Sequence, residues 1–111
     1  YGGPLARLLT TQLIGIPNLG TESPVKFELY QNYPNPFNPS TSITFDLPKG
    51  EFTKLTVYDI LGREVLLLIN EFKPSGRYSV NFNATTLSSG IYFYTLKSGN
   101  VIITKKMILN K

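Results

Sequence analysis

The chain has 111 residues, 41% hydrophobic and 16% charged, with a net charge of +4 and neither cysteine nor histidine. That size and balance suit one folded domain with a real core and exclude a disordered tail. Without thiol or imidazole there is no disulfide, thiolate nucleophile or imidazole base and no common zinc-ligand set, so no enzyme is expected.

Residues 1–26 differ in character from the rest of the chain. Gly2-Gly3-Pro4, Ile16-Pro17-Asn18-Leu19-Gly20 and Ser23-Pro24 carry breaker signals, so this stretch reads as the tail of an upstream segment plus a linker. A first strand within Leu8–Ile16 is the alternative. Arg7, Thr10, Thr11 and Gln12 interrupt the apolar run Leu5–Ile16, and no basic leader precedes it. It therefore reads as neither a membrane span nor a signal peptide. Tyr1 in place of Met marks a fragment or processed product, with any export signal upstream.

The stretch Tyr33-Pro34-Asn35-Pro36-Phe37-Asn38-Pro39-Ser40-Thr41 comes next. Its prolines fix φ and push their predecessors toward extended geometry, while Asn35 and Asn38 can close Asx turns and Ser40 or Thr41 weaker ones. The expected product is a rigid, turning lead-in with Phe37 pinned to the body, and its missing N–H groups would blunt a sheet edge. A proline-rich ligand is the competing reading, disfavoured because alternating Asn breaks a regular polyproline helix.

Beyond it the apolar period is two. Ile43, Phe45 and Leu47 alternate with Thr44 and Asp46, and Leu55 and Val57 with Lys54 and Thr56. Tyr78, Val80 and Phe82 alternate with Ser79 and Asn81, and Tyr92, Tyr94 and Leu96 with Phe93 and Thr95. Such short half-apolar runs, split by Pro48-Lys49-Gly50, Leu61-Gly62-Arg63, Pro74-Ser75-Gly76, Ser88-Ser89-Gly90 and Ser98-Gly99-Asn100, predict an all-β, immunoglobulin-like antiparallel sandwich. In the turn after Val57-Tyr58, Gly62 should be left-handed and Asp59 should pair with Arg63; surface charge is the expectation there rather than catalysis. Val65–Ile69 is apolar on both faces and reads as a central strand covered on both sides, with an exposed docking strip as the alternative. The aromatic strand after Gly90, with Tyr92, suggests core packing more than a sugar platform.

The closing residues put Val101, Ile103, Lys105, Met107 and Leu109 on one strand face and Ile102, Thr104, Lys106, Ile108 and Asn110 on the other. Apolar residues on both faces predict a strand covered on both sides. The functional alternative has Lys106, Ile108, Lys111 and the terminal carboxylate facing a partner, with a free backbone edge open to β-augmentation. Lysines spread from Lys26 to Lys111 form no concentrated stripe, so no nucleic-acid partner is expected.

Taken in order, Gln31–Thr41, Val57-Tyr58-Asp59-Ile60-Leu61-Gly62-Arg63, Ser89-Gly90-Ile91-Tyr92-Phe93-Tyr94 and Lys105-Lys106-Met107-Ile108-Leu109-Asn110-Lys111 resemble the type A C-terminal sorting domain of the type IX secretion system. The resemblance covers about Phe27 to Lys111 and reaches the final lysine typical of that family; Asn110 is a small departure. It implies a sandwich of about seven strands and a signal, Lys105, Lys106, Met107, Ile108, Leu109 and Lys111, read by the outer-membrane translocon and its shuttle protein. It further implies a fused upstream cargo, passage through the periplasm of a diderm bacterium to the medium or cell surface, and removal by a sortase-like cysteine protease before Phe27. No cofactor is implied. A carbohydrate-binding or adhesive accessory module is the alternative function, and it would need a row of exposed coplanar aromatics.

Overall fold

Alternating side chains send half of each strand into one shared core. In the computed structural model, which describes residues 24–111, these strands are β1 (Glu28–Leu29), β2 (Ser40–Leu47), β3 (Glu51–Tyr58), β4 (Glu64–Lys73), β5 (Gly76–Asn83), β6 (Gly90–Ser98) and β7 (Val101–Leu109). The alternative strand at Leu8–Ile16 and most of the linker lie outside the described residues. Two antiparallel sheets, ordered β1-β2-β5 and β4-β3-β6-β7, face each other. This is the immunoglobulin-like arrangement with its fourth strand carried on the second sheet.

The core is filled by the residues whose period marked them. Ile43, Phe45 and Leu47 of β2 and Phe82 of β5 meet Leu55 and Val57 of β3, Tyr94 and Leu96 of β6, and Met107 and Leu109 of β7. Burial of such side chains contributes about 1.5–3 kcal/mol each. Phe45 stacks on Tyr78 with ring centroids 5.4 Å apart. At the β6–β7 hairpin, Ser98 pairs with Val101 across Gly99-Asn100, and Gly99 has φ of +58°. A Cβ there would stand 2.8 Å from the Glu51 carboxylate, the movable end of a flexible side chain, so it is the left-handed φ that favours glycine at this position.

Two expectations about strands change. Val65–Ile69 lies in β4, an edge strand rather than a central one, and Leu66 and Leu67 are 43% and 37% exposed. Its two-faced look comes from two register shifts against β3, which leave Leu68 and Val65 as extra residues. Each shift flips the pleat, so Val65, Leu68 and Ile69 can all turn toward the core. The last strand, β7, is the opposite edge of the same sheet and is covered on one face only. Val101, Ile103, Lys105, Met107 and Leu109 turn inward as the period required, while Ile102 is 63% exposed.

Strand pairing also fixes the two ends of the body. Glu28 lies opposite Asp46, so the chain enters where β2 ends and β3 begins, at a tether end shared with Lys73, Gly76 and the Gly99 hairpin. The starts of β2, β4 and β6 and the finish of β7 lie at the far end. Strands of eight or nine residues separate the two by roughly 25 Å.

Candidate functional site

The lead-in before β2 is held from three sides. Tyr33 and Ser42 exchange both backbone bonds, at 3.0 and 2.9 Å, which starts the lead-in beside β2. Asn32 is buried; its amide Nδ2 donates to Thr41 Oγ1 and to the Pro34 carbonyl, and Thr41 Oγ1 donates to that same carbonyl at 2.8 Å. The buried Tyr94 hydroxyl accepts from Asn32 N and donates to the Tyr30 carbonyl, both at 2.8 Å. Burial pushes this phenol up to about 12. The Tyr33–Pro34, Asn35–Pro36 and Asn38–Pro39 bonds are cis.

From there the chain crosses to the second sheet and lies along the edge of β7. Phe37 N donates to the Ile108 carbonyl and Asn110 N donates to the Phe37 carbonyl, both at 2.9 Å. Asn35 Oδ1 accepts from Ile108 N at 3.0 Å, a bond 73 positions long rather than the local turn its residue type suggested. Gln31 Nε2 donates to the Lys106 carbonyl at 2.7 Å. The Phe37 side chain is fully buried against Phe82, with centroids 6.0 Å apart, so the expected pinning holds. Pro39 O accepts from Ala84 N, while Pro34, Pro36 and Asn38 stay on the surface.

The β3–β4 turn and the β5–β6 loop complete this end. Asp59 Oδ1 accepts from Leu61 N and Arg63 N at 2.9 Å each, and Oδ2 accepts from Arg63 Nε at 2.8 Å. The backbone N–H of Arg63, above all, holds this carboxyl below the usual carboxylate range against the opposing pull of desolvation. Gly62 has φ of +82°, as the turn required. Tyr92 Oη donates to the Ser88 carbonyl at 2.8 Å, the tyrosine-corner bond of immunoglobulin-like domains. An open groove between the two loops is lined by Asp59, Ile60, Leu61, Arg63 and Ser88 to Tyr92.

The closing residues divide by parity. Met107 and Leu109 are core side chains, and Leu109 lies opposite Gly90. Lys105 is half-buried, Lys106 is exposed, and Ile108 keeps 36% of its surface. Lys111 is engaged by the body itself: its N donates to Ser89 Oγ at 3.0 Å, and its ammonium donates to the carbonyls of Thr85 and Leu87 at 2.8 and 2.9 Å. All four motifs thus meet at the far end. Gln31, Asn32, Tyr94, Thr85, Leu87 and Ser89 carry bonds in this junction that no local sequence signal announced.

A second polar cluster sits on the outer face of the smaller sheet, toward the tether end. Asp46 accepts from Arg77 Nε at 2.7 Å and Nη2 at 3.0 Å and from Tyr30 Oη at 2.5 Å. Arg77 and then Tyr30 hold the Asp46 carboxyl below the usual range against the cost of burial, and the bond to Asp46 raises the Tyr30 phenol. This cluster ties β1 to β2 and β5.

No curated protein matches the chain. The family model described as the secretion system C-terminal sorting domain matches residues 31–110, the stretch that runs from the Gln31 contact with β7 to the end of the β7 cover, and the chain belongs to that family of type IX sorting signals.

Proposed function

We propose that the far end, as a folded surface assembled from all four motifs, is what the outer-membrane translocon and its shuttle protein read. One observation carries this: the chain enters at the tether end, roughly 25 Å from the junction of lead-in, turn, loop and C-terminal strand. A folded cargo of any size attached at the tether end leaves the far end clear. The division of side chains supports the same reading, because Met107 and Leu109 shape the end from beneath while Lys106 and Ile108 face outward. The module has no chemistry of its own. Cargo crosses the periplasm, leaves through the outer membrane to the medium or cell surface, and loses the domain to a sortase-like cysteine protease. Cleavage falls before Phe27, where Val25 is 94% exposed.

The test joins the full chain to an inert periplasmic reporter in a host with type IX secretion. The reporter is expected outside the cell, and mass spectrometry is expected to find its new C-terminus before Phe27. A folded fusion that stays in the periplasm would overturn the sorting reading; an exported fusion that keeps the domain would overturn the processing step alone.

A further inference from the structure

The outward edge of β7 is covered along only half its length. Antiparallel partners alternate between pairs that exchange both backbone bonds and pairs whose N–H and C=O point away from each other. Ile108 lies opposite Ile91, yet its N–H goes to Asn35 and its carbonyl to Phe37, so this pair is of the second kind. The β6–β7 ladder has no register shift, so Phe93–Lys106, Thr95–Thr104 and Lys97–Ile102 are of the second kind too. The backbone groups of Ile102 and Thr104 and the N–H of Lys106 therefore point away from β6, and among the described residues nothing bonds to them. The lead-in stops at the Lys106 carbonyl.

We propose that Ile102–Lys106 is a docking edge to which a partner protein adds an extended strand of alternating apolar and acidic residues; this rests on the sorting reading and names a contact by which it works. An added strand sets its side chains beside Ile102, Thr104 and Lys106 on the outer face and beside Ile103 and Lys105 on the rim of the inner one. Exposed Ile102 favours an apolar neighbour. Lys105 and Lys106, with no carboxylate paired to either among the described residues, favour acidic ones. Charge also selects against a second copy of this chain, which would bring its own two lysines into the same five residues. The open stretch has neither proline nor bulge; its protection is the charge of Lys105 and Lys106, which discourages an uncharged or basic strand and leaves an acidic one as the partner it admits.

Proline at an outward-facing edge position removes no ladder bond, so Thr104→Pro blocks the edge and leaves β6–β7 pairing in place. Thr104→Val keeps the N–H. With the full chain on a periplasmic reporter, export is expected to fall about tenfold or more in Thr104→Pro and to stay normal in Thr104→Val, with both purified fusions folded by circular dichroism. Undiminished export of Thr104→Pro overturns the proposal, as does an equal loss in Thr104→Val, which would place the effect in the side chain. If Thr104→Pro does not fold, Lys105→Glu with Lys106→Glu carries the test through charge alone: lost export supports an acidic partner strand, and normal export overturns it. Retention of the unmodified fusion is a different result, one that removes the sorting reading and this inference with it.

Discussion

The two edges of the four-stranded sheet are built differently. β4 is long and apolar at its centre, and it twists out of register twice, at Leu68 and Val65, while Glu64, Asn70 and Glu71 surround the exposed leucines. Bulges and flanking charge of this kind discourage another strand from pairing. β7 runs true beside β6 for its whole length and depends on the lead-in for cover. One edge is closed by its own geometry and the other by a separate segment of the chain. An edge closed in the second way can also be left partly open.

Removing the cover gives the sharpest contrast. Phe37→Ala deletes a fully buried ring at the point where the lead-in crosses to β7 and should cost about 3–5 kcal/mol in urea unfolding. Hydrogen exchange at Ile108 and Asn110 should rise far more than at any amide of β4; equal effects on both strands would dissolve the distinction.

Tyr94→Phe should come next, at about 1–3 kcal/mol, because it leaves Asn32 N and the Tyr30 carbonyl without a partner beneath the cover. It should also change the response to alkali. The folded phenol titrates at about 12 against an ordinary 10.0, so the unfolded state loses its proton first. Stability is then full below pH 10.0 and falls as pH rises toward about 12, and Tyr94→Phe should flatten that fall.

Asp46→Asn acts on β1 and so on the approach to the lead-in, and about 1 kcal/mol is expected given the solvent on one side of Arg77. The folded carboxyl lies below its ordinary 3.8, so its contribution is present above that value and is lost as pH falls through the folded one. Acid unfolding of Asp46→Asn should lack this component. The smallest effect belongs to the β4 side. Asp59→Ala should raise hydrogen exchange at Leu61 and Arg63, whose N–H groups it releases, and leave Ile108 and Asn110 unchanged. Faster exchange on β7 would mean that the two edges are coupled.

Local features were readable in the chain, and long-range ones were not. The alternations at Ile43–Leu47 and Tyr92–Leu96 place residues correctly because burial on one face repeats every second residue. Gly62 and the Asp59–Arg63 pair were equally plain, since turn chemistry is decided within a few positions. Val65–Ile69 misled because two pleat reversals within one strand make consecutive residues face the core, which looks like coverage on both sides. The junction itself left no local trace. Asn35 with Ile108, Asn32 with Tyr94 and Lys111 with Thr85 join residues from 26 to 73 positions apart, and nothing in their neighbours records the pairing.

The deep placement of Met107 and Leu109 has a consequence for how such a chain is made. Synthesis runs from the N-terminus, so these two are among the latest residues of the domain to leave the ribosome, and until they arrive the space between the sheets is unfilled at the far end. A polypeptide cut short before Leu109 therefore lacks the packing that fills the space between the sheets at that end. Completion of the fold waits on translation past that point, which makes an intact message a condition of an intact domain.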